Sequence, residues 1–230
     1  TKLNNKNPTI IFTDNMHHLM EDLSPDQKKQ IATSKHLSAS DPSALLRYSY
    51  KYNPDGFSNI SLTFPKLILE IKASLFLKFN IENYISAIAL ISDSVTLNDI
   101  NSIDRSFIKL PEGRGEILRL KEGKILIDFA HDDKSFKNIL SELSKTYDDI
   151  ILVFGCGGDR DKSKRSKMMR IAQDFTSKII FTSDNNRFEA FQSICKDALD
   201  GNNKNRVEII EDRHTAIKSG LKYLNKKNIL

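Results

Sequence analysis

The sequence predicts an α/β protein whose second half is a doubly wound parallel sheet. Three observations carry that expectation. Short β-branched apolar runs alternate with helix-spaced segments in three successive units, 149–176, 178–199 and 206–226. The first run, Ile150-Ile151-Leu152-Val153-Phe154, is closed by Gly155, Gly157 and Gly158, as befits a strand buried on both faces. Residues 45–77 instead alternate with period two, at Tyr48, Tyr50 and Tyr52, at Ile60, Leu62 and Phe64, and at Leu67, Leu69 and Ile71. That pattern suits antiparallel strands and sets the first half apart. Repeated strand-then-helix order, by contrast, calls for parallel strands joined by right-handed crossovers.

Composition sets the bounds. A chain of 230 residues is long enough for one large domain or two small ones. Its 39% hydrophobic and 28% charged residues exclude a disordered chain. The formal charge of +5 accommodates an anionic small ligand without calling for nucleic acid. No apolar run approaches the roughly 18 residues that span a bilayer. With no signal peptide recognised, the expected location is the cytoplasm. Cys156 and Cys195 fit a reducing compartment, and a single disulfide between them stays open as an alternative.

Taken in order, residues 8–13 read as a strand ended by Asp14-Asn15, and Met16 to Leu23 as a helix before the turn Ser24-Pro25-Asp26. His17 and His18 have no carboxylate or cysteine at ligand spacing and are read as surface residues. Asn53-Pro54-Asp55-Gly56 is the strongest turn of the alternating stretch. From Phe79 the spacing becomes helical to about Ser92, with Asn80 as the expected N-cap. A second helix, Thr96 to about Asp104, has Thr96 as cap and Asp99 at the capping-box position. Pro111-Glu112-Gly113 breaks the pattern, giving expected domains of 1–110 and 111–230. Strands are expected over Gly115–Leu120 and Lys124–Ala130, then a helix from about Lys134 to Tyr147. After the glycine turn, Met168, Met169, Ile171, Ala172 and Phe175 mark an amphipathic helix running to about Thr176.

Polar clusters fall where strands end. They are Asp128 with His131, the alternating charges Asp159, Arg160, Asp161, Lys162, Lys164 and Arg165, and Asp184-Asn185-Asn186-Arg187. Carboxyl ends of parallel strands share one edge, so these clusters are expected to converge there. Both signs of charge point to a ligand bearing carboxylates or phosphates, which a guanidinium fork can grip in two places. No Ser/His/Asp or Cys/His nucleophile set is visible, and no catalytic residue or metal ligand is assigned.

The segment Phe154-Gly-Cys-Gly-Gly-Asp-Arg-Asp-Lys-Ser-Lys-Arg165 resembles the signature of the Mur ligases, within them the type that adds meso-diaminopimelate to UDP-N-acetylmuramoyl-L-alanyl-D-glutamate. Further matches follow in the family's order. Phe79-Asn80 with Asn83 and Ala87-Ile88-Ala89 resembles the adenine-contacting helix of the central domain. Gly113-Arg114-Gly115-Glu116 resembles the interdomain Gly-Arg-Met-Glu, Asp128-Phe129-Ala130-His131 resembles Asp-Tyr-Ala-His, and Asp184-Asn185-Asn186-Arg187 resembles Asp-Asn-Pro-Arg. Asp212-Arg213 and Ala216-Ile217 fit the late helix.

What the resemblance implies is a partial ATP-binding central domain followed by the smaller amino-acid-binding domain. Asn83, Arg114, Asp128 and Lys164 would contact the nucleotide. Arg160, Asp184, Asn185 and Arg187 would bind diaminopimelate, with His131 a further candidate. The implied chemistry is amide-bond formation for peptidoglycan, with ATP and Mg2+, by a monomer without nucleic-acid or membrane partners. The chain departs from the family in having no Gly-x-x-Gly-Lys-Thr phosphate loop, no Gly-Lys-Gly-His-Glu motif, and Asn186 in place of proline. The 230 residues alone are therefore expected to lack turnover and at most to bind diaminopimelate weakly. A folylpolyglutamate- or cyanophycin-type ligase, and a non-catalytic module for such ligands or for RNA through 162–170, are the alternatives.

Overall fold

A computed structural model describes residues 10–12, 35–38, 46–53, 57–64, 67–91, 96, 99, 102 and 110–230. The chain divides into two compact units, residues 1–110 and 111–230. The expected helix over Met16–Leu23, the paired histidines and the Pro54–Gly56 tip lie outside the described residues.

The first unit carries a five-stranded sheet in the order β1 to β5. Its strands are β1 (Ile10–Phe12), β2 (Lys35–Ser38), β3 (Leu46–Tyr52), β4 (Ser58–Phe64) and β5 (Leu67–Ala73). β1, β2 and β3 run parallel, whereas β3, β4 and β5 are antiparallel. The alternation sets the register. Tyr48 faces Leu62, Leu62 faces Leu69, and Ile60 faces Ile71, so one apolar face forms across the three strands. Helix α1 (Lys78–Ile91) covers that face with Ile81, Ile85, Ile88 and Ala89. Asn80 is not its N-cap. Leu77 takes a left-handed φ of 74°, the helix starts at Lys78, and the buried Asn80 donates from Nδ2 to the Phe76 carbonyl at 3.0 Å. The side chain satisfies a carbonyl just outside the helix rather than an amide within it. Thr96 and Asp99 do form the expected capping box, each side chain accepting from the other's amide at 2.8 and 3.1 Å.

The second unit is a six-stranded sheet ordered β10-β9-β8-β11-β7-β6. β6 (Arg114–Arg119) is an antiparallel edge on β7 (Lys124–Asp128), with a bulge between Arg114 and Glu116. The other pairs are parallel: β8 (Asp149–Phe154), β9 (Lys178–Phe181), β10 (Val207–Ile209) and β11 (Asn228–Ile229). The connecting helices are α2 (Asp133–Leu143), α3 (Ser163–Phe175), α4 (Phe191–Leu199) and α5 (Arg213–Leu221). Steps from β7 to β8, β9 and β10 all travel one way along the sheet, and the return to β11 travels the other. A right-handed crossover that reverses direction must change faces. The side chains agree: Phe154 and Phe181 meet Phe136 of α2 and Phe191 of α4, with ring centroids 5.0 to 6.1 Å apart. Their neighbours Val153 and Ile180 point the opposite way, toward Gly220 of α5.

Several boundaries differ from expectation for local reasons. β7 ends at Asp128 rather than Ala130 because the Asp128 carboxylate accepts the Ala130 amide at 2.8 Å and turns the chain outward. α2 stops at Leu143, and the amides of Thr146 and Tyr147 instead close onto the Leu143 carbonyl. The short β11 was not expected at all, although it lies near the middle of the sheet. Among the described residues no helix is long and apolar enough to cross a membrane.

Candidate functional site

The glycines after β8 serve the neighbouring loop first. A Cβ on Gly155 would lie 2.3 Å from the Thr182 carbonyl oxygen, and one on Gly158 would lie 1.8 Å from the Asn186 oxygen. Only glycine lets segment 155–158 press against segment 182–186 this closely. The loops are then laced together: the Gly158 amide donates to the Asn185 carbonyl at 3.2 Å, and Arg187 Nη1 donates to the Gly158 carbonyl. The Asp159 carboxylate accepts the Phe188 amide at 3.1 Å. Asp159, Asn185 and Arg187 all adopt left-handed φ values, 51°, 47° and 51°. That conformation is rare outside glycine and costs an arginine more than an asparagine. Gly157 differs: its added Cβ would meet Arg160 Cγ at 3.6 Å and Arg187 Nη1 at 3.7 Å. Arg160 and Arg187 thus flank one backbone position, although 26 residues of sequence lie between them.

Not all of the charge between Asp159 and Arg165 faces a ligand. Arg165 is 1% exposed, on the same helical face as Met168, Met169 and Ala172. Its Nη1 and Nη2 each donate to Glu189 at 2.7 Å, Nη1 also to Asp197 at 2.8 Å, and Nη2 to the Gly157 carbonyl at 3.0 Å. Glu189 also accepts the Asp159 amide at 3.1 Å and pairs with Lys162 at 3.2 Å. Hydrogen bonds from Arg165, and then from the Asp159 amide, hold the Glu189 carboxyl far below the usual carboxylate range. Asp161 turns back to the Ser163 amide at 3.0 Å. The expectation of an anion-facing charge cluster therefore narrows, chiefly to Arg160. Buried Arg165 is also lost to any basic surface along 162–170. The spacing 165, 168, 169, 172 would have marked it as core-facing, had its charge not drawn the reading outward.

A second set gathers at the end of β7. Arg114 stands opposite Asp128 in the ladder, and its guanidinium lies 4.7 Å from the Phe129 ring centroid. His131 sits against Phe129 at 5.4 Å, with Nδ1 3.2 Å from the Phe129 carbonyl. Lys164, half-buried in the first turn of α3, helps to depress the Asp132 carboxyl, whose main cause is the Ser135 amide bond. A cavity of about 220 Å³ joins Asp128 and His131 to Gly155, Asp184 and Arg213 at its polar end. Phe136, Ile139, Leu140 and Leu143 of α2, the β8 strand and Leu230 form its apolar remainder. Arg213, matched to the late helix in the sequence, is not among the expected site residues. It donates to the Ser183 carbonyl at 3.2 Å and lies 4.0 Å from an Asp184 carboxylate oxygen.

So the second unit brings Asp128, His131 and Asp184 to one cavity, and Arg160 and Arg187 together around Gly157. Lys164, Asn185 and both of those arginines do not line the cavity. Asn83 belongs to the first unit, exposed on the face of α1 away from its core. Both cysteines are free and buried. Burial pushes the Cys156 thiol up to about 12 and that of Cys195 up to about 11, which disarms them as nucleophiles. No group of three or more His, Cys, Asp or Glu suited to a metal occurs among the described residues.

The family described as "Mur ligase, glutamate ligase domain" matches residues 113–230. The chain belongs to the Mur ligase family. Among curated Mur ligase relatives, the UDP-N-acetylmuramoyl-L-alanyl-D-glutamate--2,6-diaminopimelate ligase of Prochlorococcus marinus subsp. pastoris is 35% identical over 176 residues, covering 72% of this chain and 34% of that protein. The enzyme of the same name from Fusobacterium nucleatum is 34% identical over 185 residues, covering 78% of this chain and 37% of that protein. The chain thus spans about a third of the length of these relatives. A solved structure of that ligase superposes with a TM-score of 0.64 at 27% identity, over 96% of this chain and 46% of that one. The folylpolyglutamate synthase of Thermotoga maritima shares the fold, with a TM-score of 0.66 at 18% identity over 96% of this chain and 50% of that one.

Proposed function

We propose that the chain is part of an ATP-dependent ligase that joins meso-diaminopimelate to UDP-N-acetylmuramoyl-L-alanyl-D-glutamate in peptidoglycan synthesis. The observation that carries this reading is the approach of Arg160 Cγ and Arg187 Nη1 to one point beside Gly157, at 3.6 and 3.7 Å, with the Asp184 carbonyl oxygen 3.9 Å from the same point. An amino acid offers a carboxylate and an ammonium on one carbon. Arginine guanidinium groups suit the first, and the Asp184 carboxylate and carbonyl suit the second. Asn185 and Arg187 are held in left-handed conformations, so the loop presents its groups at a fixed pitch. Diaminopimelate carries an amino-acid centre at each end, whereas lysine and glutamate carry one each.

In such a ligase ATP supplies the phosphoryl group that activates the acceptor carboxylate before the amine attacks it. Asp128 has one oxygen engaged by the Ala130 amide, leaving the other to accept from a ribose hydroxyl. Arg114 stands opposite it in the ladder and stacks on Phe129, ready to contact phosphate or adenine. Lys164 completes the proposed nucleotide contacts of the second unit, with His131 beside Asp128; on the first unit, Asn83 of α1 is proposed separately as an adenine contact. Magnesium would neutralise transferred phosphoryl oxygens. Among the described residues no cluster of three or more His, Cys, Asp or Glu suited to a metal occurs.

Calorimetric titration of the 230-residue chain with meso-diaminopimelate tests the site. Weak saturable binding is expected, abolished by Arg187→Ala and by Arg160→Ala, with no phosphate release on adding ATP. Equal binding of glutamate and diaminopimelate would transfer the reading to a folylpolyglutamate-type ligase. Turnover by the chain alone would refute the expectation that these 230 residues lack it.

A further inference from the structure

Two loops must meet in register for Arg160 and Arg187 to face one ligand, and a buried charge centre touches both. Arg165 holds the Gly157 carbonyl at 3.0 Å, and its partner Glu189 holds the Asp159 amide at 3.1 Å. Gly157 and Asp159 bracket the tight packing at Gly158, and Asp159 immediately precedes Arg160. Glu189 lies two positions beyond Arg187 and anchors that loop to the start of α4 through Ser193 at 3.4 Å. Asp197, further along α4, takes the remaining Nη1 bond at 2.8 Å. The centre thus ties together the glycine loop, α3, the 184–189 loop and α4.

We propose that the Arg165–Glu189 pair positions Arg160 and Arg187 for the ligand, setting their spacing without touching the ligand itself. The ligand arm of this inference rests on the diaminopimelate reading above; the loop-registering arm does not. A buried ion pair is a poor stabiliser, because removing both charges from water offsets their attraction. Stability alone therefore gives little reason for a guanidinium that is 1% exposed and whose Nε has no hydrogen-bond partner. Geometry gives a better one. The planar fork makes four bonds at once, to both Glu189 oxygens at 2.7 Å, to Asp197 at 2.8 Å and to the Gly157 carbonyl at 3.0 Å, whereas an ammonium has only three hydrogens to donate.

The test compares wild type, Glu189→Gln and Arg165→Lys by amide hydrogen exchange without ligand and by NMR titration with meso-diaminopimelate. In both variants exchange at Gly158, Asp159 and Phe188 is expected to speed up together while Ile151 and Ile180 keep their protection. Diaminopimelate binding should weaken about tenfold or more, the scale of a lost charge-assisted contact. Unchanged exchange at the three amides, or loosened loops with wild-type affinity, overturns the proposal. If Glu189→Gln loses protection at Ile151 and Ile180 as well, Arg165→Lys decides. The same global loss there shows a purely structural pair and also overturns the proposal. A wild type that ignores diaminopimelate counts against the proposed ligand, and the exchange arm still decides whether the pair registers the loops.

Discussion

Replacing Gly158 by alanine should do far more damage than the same change one residue earlier. The new methyl group at 158 would sit 1.8 Å from the Asn186 oxygen and 2.6 Å from its carbonyl carbon. Real Cβ contacts essentially never fall below 3.0 Å, so the Asn186 backbone would have to retreat by more than 1 Å. It is not free to do so: the same carbonyl accepts the Glu189 amide at 3.0 Å, and the adjacent Arg187 donates to Gly158. Overpacking of this kind costs roughly 1–3 kcal/mol, and a rigid backbone neighbour puts it in the upper half of that range, about 2 kcal/mol or more. For a unit of about 120 residues, with an unfolding entropy near 2.1 cal/mol/K per residue, that lowers the melting midpoint by about 8 °C. At Gly157 the nearest atoms are at 3.6 and 3.7 Å, ordinary contacts, and both belong to arginine side chains. Gly157→Ala should therefore melt within about 2 °C of wild type, as surface changes usually do. It would nevertheless fill the gap between Arg160 and Arg187 and weaken diaminopimelate binding. A thermal melt followed on the methyl resonances of Ile150 and Ile180 reads the second unit directly. If Gly158→Ala melts with wild type, or Gly157→Ala falls as far as Gly158→Ala, the division of labour among the glycines is refuted.

Other outcomes follow from the same contacts. Ellman's reagent at pH 8 should label neither Cys156 nor Cys195 in the folded chain and both after denaturation, since burial keeps the thiols protonated at about 12 and 11; prompt native labelling would contradict their placement. Removing the α2 cap by Asp132→Ala leaves the Ser135 amide without its 2.9 Å acceptor and should cost about 1 kcal/mol, or roughly 4 °C in midpoint. The pH dependence of Glu189 has a definite sign. Its folded carboxyl is depressed, so its contribution is fully present above the ordinary glutamate value of about 4.3 and is lost as pH falls through the lower folded value. Urea midpoints should therefore fall with acidification below about pH 4.3 more steeply in wild type than in Glu189→Gln, and parallel acid limbs would show that Glu189 is not the group responsible.

Much of this molecule is written locally. Period-two alternation at Tyr48, Ile60, Leu62, Leu69 and Ile71 marked the antiparallel strands and the residues they bury. Apolar runs closed by glycine or by Asp128 and Asp184 marked the strand ends at which polar groups collect. The Thr96–Asp99 cap was legible because its donors and acceptors lie three residues apart. Such features rest on interactions within a turn or two of backbone, and residue type carries them directly.

What the sequence by itself determined, then, is the longer strands and helices, the face the alternating strands bury, and the family signatures that gather near the strand ends. Only the tertiary structure decided how those signatures divide their work. β11 is too short to announce itself; it exists because its partners Lys124, Asp149 and Ile150 stand ready some 80 to 105 positions earlier in the chain. The space a Cβ would need at Gly155 and Gly158 is taken by Thr182 and Asn186, which only the fold brings against them. Arg165 looked like a ligand contact until Glu189 and Asp197, 24 and 32 residues away, claimed its guanidinium. Whether a charge faces solvent or a buried partner depends on which elements the sheet order makes adjacent, and adjacency in a parallel sheet is a long-range property that spacing along the chain does not encode.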